Sequence, residues 1–155
     1  MVNACTDALR LLAGRELSVG ECRARLINRG HPADEVDAAI RKLLDDGSLN
    51  DERVARAYAR TAIEVKGRGR LRIARELTEK GIAREVIAAA LAEVFADTDE
   101  RSLVARAIQK KLRSRPRPST ASDFGRLYQY LMRQGFSPAV VSAELRKLRG
   151  GRDDD

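Results

Sequence analysis

His31 is the only imidazole among 155 residues, and Cys5 and Cys22 are the only thiols. A nucleophile activated through a Ser-His-Asp or Cys-His arrangement would have to be built around that one ring. His31 stands between Gly30 and Pro32, at a helix–helix corner, where a turn or capping role is the ordinary one. Two Cys and one His cannot close a four-ligand structural zinc site without carboxylates, and two Cys cannot make a disulfide framework. Both thiols read as small core residues of the N-terminal region. Gly67-Arg68-Gly69 is followed by Arg72 where a dinucleotide fingerprint needs a third glycine, and no strand pattern precedes it. There is no phosphate loop of the G-x-x-x-x-G-K type. Asp45-Asp46 and Asp153–Asp155 are adjacent carboxylates, but neighbouring side chains on a helix point apart, so a solvated helix end and a tail are expected there. These residues point away from an enzyme and toward a binding protein with no metal and no cofactor.

What the chain has instead is cationic charge, unevenly placed. Thirty Lys/Arg oppose 23 Asp/Glu, a net of +7. Residues 1–50 carry −1, residues 51–100 are neutral and residues 101–155 carry +8. Seven basic residues and no acid lie between Arg101 and Arg117. Twenty-four of the thirty cations are Arg, whose planar fork suits phosphate or carboxylate. A composition bias of the source genome would also raise the Arg share, but it would not cluster the residues. A hydrophobic share of 43% with 34% charged residues describes a folded chain rather than a disordered one. No apolar run approaches the ~18 residues of a membrane span, and the first fifteen residues lack the apolar stretch of a signal peptide. A cytoplasmic, non-membrane protein is expected.

The elements that must carry this charge announce themselves by self-similarity. Leu26, Leu77 and Leu131 are each followed four residues later by a glycine: Gly30, Gly81 and Gly135. Six residues beyond each glycine stands Val36, Ile87 or Val141; ten beyond, Ile40, Leu91 or Leu145; thirteen beyond, Leu43, Val94 or Leu148. Those offsets share one face at 3.6 residues per turn. The glycine suits a left-handed residue just past a helix end, where a Cβ is penalised. The pattern predicts helices over 4–14, from Ser18 to Gly30, 33–46, 51–65, 70–80, 84–95, 99–113, 122–134 and from Ser137-Pro138 onward. Ser18-x-x-Glu21 is a capping box, and Ser137-Pro138 places a cap residue before a first-turn proline. Sustained apolar–polar alternation is absent, so strands are not expected. The expected fold is all-α, three tandem three-helix repeats in an elongated, curved array. The expected boundaries are 1–48, 49–97 and 98–149, with a Pro-containing loop at 114–121 and a frayed acidic tail at 150–155.

On helical wheels the cations gather opposite the apolar faces. Arg72 and Arg75 lie opposite Ile73 and Leu77, with Arg68 and Arg70 just before them. Arg106, Lys110 and Arg113 lie opposite Val104, Ile108 and Leu112. Arg126, Tyr130 and Arg133 lie opposite Phe124, Leu127 and Leu131, which puts an aromatic on a basic face. Such a stripe can pair phosphates and stack a base, or anchor a protein contact; a solvated face with local ion pairs is the plain alternative. In Gly67-Arg68-Gly69-Arg70 the backbones of Gly67 and Gly69 could approach an anion at a helix start. A flexible helix connection explains those glycines equally well.

The residues resemble the RecX family, bacterial regulators of the RecA recombinase. The resemblance rests on Leu11-Leu12-Ala13-Gly14-Arg15-Glu16-Leu17-Ser18, on Leu49-Asn50-Asp51-Glu52-Arg53-Val54-Ala55-Arg56-Ala57-Tyr58 and on Gly67-Arg68-Gly69-Arg70-Leu71-Arg72-Ile73-Ala74-Arg75-Glu76-Leu77. It continues with Lys80-Gly81-Ile82 and Leu131-Met132-Arg133-Gln134-Gly135-Phe136-Ser137, and covers roughly residues 8–148. Val54 stands where the family usually has a large aromatic. The resemblance implies a non-enzymatic modulator, usually an inhibitor. It would lie in the groove of the RecA–single-stranded DNA filament and suppress ATPase, strand-exchange and coprotease activities. Its implied partners are the RecA filament and single- or double-stranded DNA, met as a monomer. Arg68, Arg72, Arg75, Arg126 and Arg133 would supply most of the attachment, with Tyr130 as anchor. The alternative reading is a DNA-binding protein acting independently of RecA.

Overall fold

The computed structural model describes residues 2–150, and all regular structure among them is helical. In chain order the helices are α1 (Ala4–Gly14), α2 (Val19–Asn28), α3 (Ala33–Asp45), α4 (Asp51–Glu64), α5 (Arg70–Glu79), α6 (Arg84–Val94), α7 (Glu100–Leu112), α8 (Ala121–Gln134) and α9 (Pro138–Gly150). The fold is all-α and built as a helical repeat. Gly150 closes α9, and the rest of the expected acidic tail lies outside the described residues.

The repeated Leu–Gly signal has one physical cause in all three places. Gly30, Gly81 and Gly135 have φ of 94°, 79° and 96°, the left-handed region that an L side chain resists. Each glycine N–H donates to the carbonyl three residues back, from Gly30 to Ile27, Gly81 to Thr78 and Gly135 to Met132. The next N–H donates to the carbonyl five back, from His31 to Leu26, Ile82 to Leu77 and Phe136 to Leu131. This pair of bonds is the Schellman ending, which satisfies carbonyls the helix leaves open. Leu26, Leu77 and Leu131 are fully buried, each worth about 1.5–3 kcal/mol of burial. Val36, Ile87 and Val141 are buried, as are Ile40, Leu91 and Leu145.

The chain clusters into two compact units. Unit 1 comprises Met1–Tyr58 with Glu76–Ala90; unit 2 comprises Ala59–Arg75 with the chain from Leu91 onward. In unit 1, α1, α2 and α3 pack on one another around Ala8, Leu17, Cys22, Leu26, Val36, Ile40, Leu43 and Leu49. Cys22 is buried and Cys5 half-buried, both as free thiols. The capping box is present: Ser18 Oγ accepts from the Glu21 N–H and Glu21 Oε1 from the Ser18 N–H. In unit 2, α7, α8 and α9 pack pairwise over Val104, Ile108, Phe124, Leu127, Leu131, Phe136, Val141 and Leu145, all buried. A second capping box, Thr120 with Asp123, opens α8.

Each unit also contains a helix-end junction of the same kind. In unit 1 the buried Ser18 hydroxyl donates to Lys80 O at 2.5 Å. There the backbone of α2 at Gly20 comes so close that a Cβ on it would lie 3.1 Å from the same oxygen. In unit 2 the amides that open α5 meet the carbonyls that end α8, Gly69 N–H to Gln134 O at 2.6 Å and Leu71 N–H to Gly135 O at 3.0 Å. A Cβ on Gly69 would lie 2.5 Å from the Gly135 carbonyl carbon, so only glycine fits. The positive start of one helix thereby meets the negative end of another.

Candidate functional site

Every residue that the sequence singles out for partner contact falls in unit 2. Unit 1 carries 11 Lys/Arg against 13 Asp/Glu, a net of −2. Unit 2 carries 19 against 10, a net of +9. The folded chain therefore segregates its charge slightly more sharply than the count along the sequence, in which the first and last segments carry −1 and +8.

Within unit 2 the cations take three different roles. Those around α5 divide between structural contacts and exposed charge. The Gly69 N–H is spent on Gln134 O and its missing Cβ on the approach of Gly135. Gly69 is thus withdrawn as a backbone contact to an external anion. The physical expectation was sound in kind, since amides at a helix start attract negative charge, but α8's own carbonyl end takes them. Gly67, with φ of 61°, forms the left-handed turn after α4, and the Arg68 N–H closes that end on Ala62 O. The Arg70 guanidinium lies 4.8 Å from the Phe95 ring centroid. Arg72 is half-buried, with Nη1 donating to Arg133 O at 3.4 Å and its backbone against Gly135. Arg75 is exposed on the same helix.

A second group lines a mixed-charge hollow. Arg106 faces it together with Arg60, Glu64, Glu93 and Asp97, and Arg60 pairs with Glu93 at 3.8 Å. Arg106 thus stands among carboxylates rather than on a cationic face. Lys110 and Arg113 are exposed beyond it.

The third group forms an open groove of about 840 Å³ between the end of α7, the loop Arg113–Thr120 and the outer face of α8. Lys111, Arg115, Arg117, Arg126 and Arg133 line it, with Tyr130 among them. The Lys111 ammonium lies 4.3 Å from the Tyr130 ring centroid. Helical spacing correctly places Arg126, Tyr130 and Arg133 together, but it selects Lys110 and Arg113 from α7, whereas the groove takes Lys111 and Arg115. The missed residues owe their position to the proline loop, which bends the chain after Leu112 back toward α8; Pro118 is buried and Arg117 donates to Leu148 O at 3.4 Å. The signal available in sequence was the alternation Arg115-Pro116-Arg117-Pro118, two cations held between rings that fix φ.

Asp123 is the groove's one carboxylate, and it is committed. Its oxygens accept from the Ser119 and Thr120 amides at 3.0 Å each, and Arg126 lies 3.3 Å away. The Ser119 amide bond, with that of Thr120, holds its carboxyl down at about 2, so it stays ionised and bound to the start of α8. No other acid among the described residues lines the groove. Five cations with a phenol can bind a polyanion and stack an aromatic ring.

His31, the residue that chemistry would need, is occupied in unit 1. Its Nε2 donates to Asp7 Oδ2 at 2.8 Å, and Arg29 Nη1 reaches Asp7 Oδ1 at 2.5 Å. The other two repeats place buried Ile82 and Phe136 at the corresponding position; the first places a polar ring there and satisfies it with the buried Asp7. No group of three or more His, Cys, Asp or Glu among the described residues is arranged to hold a metal ion. No helix among them is long and apolar enough to cross a membrane.

Two family models match, RecX first three-helix domain over residues 4–43 and RecX second three-helix domain over residues 50–91. The chain is 35% identical over 153 residues to a regulatory protein RecX of Pelodictyon phaeoclathratiforme, covering 98% of this chain and 93% of that protein. It is 34% identical to a regulatory protein RecX of Geobacillus kaustophilus, covering 92% of this chain and 52% of that longer protein. Among solved structures, RecX from Lactobacillus salivarius superposes with a TM-score of 0.81 at 23% identity, over 94% of both chains; at that identity the likeness concerns the fold.

Proposed function

The chain belongs to the RecX family of regulatory proteins, and from that premise we propose that it is a non-enzymatic modulator of RecA, acting as an inhibitor. In this reading it lies in the groove of the RecA–single-stranded DNA filament and suppresses ATPase, strand exchange and coprotease activity. It works in the cytoplasm as a monomer of three three-helix repeats, 1–48, 49–97 and 98–149. The observation that carries the reading is the +9 charge of unit 2. A filament groove offers acidic protein surface and DNA phosphate together, and one Arg-rich surface engages both.

The placement of the cations divides the work. Arg75, Arg126, Arg133, Lys110 and Arg113 are exposed and supply attachment, with Tyr130 as anchor. Arg70, over the Phe95 ring, and Arg72, on Arg133 O, hold the structure that presents them. RecA's DNA-dependent ATPase, measured with the double variant Arg126→Glu/Arg133→Glu, tests this directly. Inhibition should weaken by about tenfold or more while the helical circular dichroism stays unchanged; full inhibition by the folded variant would overturn the assignment.

The α7–α8 groove favours a second reading, a protein that binds DNA independently of RecA. Its affinity for naked single strands would then fall with salt at a slope of about −0.7 per phosphate contacted, and RecA would add nothing to it. The regulator reading requires much tighter binding to the filament than to DNA alone at equal salt.

A further inference from the structure

Helices α2, α5 and α8 end alike, but the chain uses those endings unequally. Lys80 O, before Gly81, accepts from the Ser18 hydroxyl, and Gln134 O, before Gly135, accepts from the Gly69 amide. At the matching end of α2, Arg29 O and Gly30 O accept no hydrogen bond among the described residues. A Cβ on Gly30 would have nothing within 4 Å. Ile27, in the last turn of α2, is 49% exposed. Asp34 and Glu35, in the first turn of α3 just beyond, are exposed with no cation at salt-bridge distance among the described residues. With Arg29 balanced by Asp7, and Arg25 on the same turn counted against Asp34 and Glu35, this ending carries −1. The open carbonyls add to that.

The helix starts show the converse. Gly20 lies six residues before the buried Leu26, and a Cβ there would stand 3.1 Å from Lys80 O and 3.4 Å from Gly81 Cα. In α5 the close approach falls two residues earlier in register, at Gly69. Gly125 lies six residues before the buried Leu131, in the register of Gly20. Glycine in a helix interior costs about 0.5–1 kcal/mol relative to alanine, and nothing within the chain requires it at Gly125. Its φ is not left-handed, and a Cβ built on it would meet nothing within 4 Å. It is exposed on the wall of the α7–α8 groove, whose five cations and Asp123 sum to +4.

We propose that these two unused halves meet between copies of this chain: the Arg29–Gly30 ending of α2 in one copy seats on α8 at Gly125 of another. The occupant is a second copy because the chain holds both halves of a junction that it makes twice internally. The halves are also opposite in charge, −1 against +4. At the register of Ser18, α8 has Asp123, which only accepts. The donor to the open carbonyls is therefore its neighbour Arg126, whose side chain is 77% exposed. The two halves lie on different surfaces, so the contact is heterologous and each copy keeps one half open after making it. A contact of two helix ends is smaller than the ~1,200 Å² of a stable complex. The dilute chain is thus a monomer, and copies join as concentration approaches roughly 0.1–1 mM. The proposal goes beyond the regulator reading and does not rest on it. On a filament, where neighbouring copies crowd, the same contact would make binding cooperative.

The test is sedimentation velocity of the whole chain without RecA, over roughly 0.01–1 mM. The weight-average mass should rise with concentration past that of two copies. Gly125→Leu, which improves helix propensity and leaves charge untouched, should raise the concentration needed by more than about tenfold by filling the seat. Ile27→Arg/Asp34→Arg alters the other half at exposed positions and should do the same. Helical circular dichroism checks that both variants stay folded. Each variant keeps the half that the other has lost, so an equimolar mixture of the two should associate again and stop at two copies. A parent chain that stays monomeric throughout the range would overturn the proposal. So would a parent mass that levels off at two copies, as a symmetric face gives. Association that survives Gly125→Leu, or a mixture that stays monomeric, would overturn it as well. RecA ATPase inhibition by the parent chain keeps the two readings apart: inhibition without association removes this proposal alone, and association without inhibition removes the regulator reading alone.

Discussion

Unit 1 and unit 2 use the same helix-end chemistry and a similar three-helix packing, yet they differ in the balance of their charge. In unit 1 five cations sit beside carboxylates, Arg29 on Asp7, Arg53 on Glu16, Arg23 on Asp37, and both Arg15 and Lys80 on Glu21, while Arg10, Arg25, Arg41, Lys42 and Arg84 have none within salt-bridge distance among the described residues. In unit 2, Arg60 pairs with Glu93, Arg126 with Asp123 and Lys147 with Glu144, whereas Lys110, Arg113, Arg115 and Arg133 have no carboxylate within salt-bridge distance among the described residues. Charge that is neutralised inside a unit ties its helices together. Charge left without a counterion repels itself in the free protein, and a partner relieves that repulsion. In the proposed reading, the difference between −2 and +9 is a division between a part that holds and a part that meets.

The largest effect that would sharpen this comparison concerns the two junctions. Gly69→Ala should cost about 2–3 kcal/mol, because the new methyl group must displace the Gly135 backbone. Gly20→Ala, whose Cβ would lie 3.1 Å from Lys80 O, should cost less than about 1 kcal/mol after its helix-propensity gain. Urea unfolding midpoints check both, and equal losses would mean that the two junctions are equally tight.

Next come the two capping boxes. Ser18→Ala removes a cap and the buried bond to Lys80 O, and should cost about 2 kcal/mol. Thr120→Ala removes a cap alone and should cost about 1 kcal/mol. Thermal unfolding would break the distinction if the order were reversed.

Charge reversal should give the third effect. Co-sedimentation with RecA filaments should fall about tenfold for Arg126→Glu/Arg133→Glu, near 1.4 kcal/mol. It should not change for Arg10→Glu/Arg41→Glu in unit 1. Equal losses from both would erase the functional side of the comparison.

The smallest effect is one of pH. The Asp7 carboxyl is held below the ordinary aspartate range chiefly by the His31 hydrogen bond, with Arg29 adding to it. A depressed folded-state value means that the stabilisation is complete above the ordinary aspartate pKa of about 3.9 and is lost as pH falls through the folded value. Acid titration of helicity should show Asp7→Asn less stable than the parent near neutrality, with the gap closing below that range. Asp123, held at about 2, should keep the start of α8 capped to lower pH than the Asp7 clasp survives only if its value lies deeper; amide exchange at Asp123 and at His31 reports which yields first.

The helices and the repeat were legible in the sequence because their causes are local. A Leu, a glycine four residues on and an apolar face beyond it specify an ending and a new start within about twenty residues, and each predicted span lies within a residue or two of the observed one. The site was legible only on α8, where Arg126, Tyr130 and Arg133 share a face by helical period alone. Gly69 was opaque because its reason, the Gly135 backbone, is far along the chain. Lys111 and Arg115 were missed because a helical wheel shows which residues share a face but not which face a returning loop will border. His31 and Asp7 escaped notice as a pair for the same reason, since α2 intervenes between them.

Helix α5 carries both halves of the junction. Its first amides receive the carbonyls of α8, and the carbonyl just past its end receives the Ser18 hydroxyl beside α2. A helix that donates at one end and accepts at the other uses both poles of its dipole within the chain, leaving neither for an outside ion. Among the described residues nothing lies within 4 Å of a Cβ on Gly30, whereas Gly81 and Gly135 are both engaged, so the like ending of α2 stands open where those of α5 and α8 are closed.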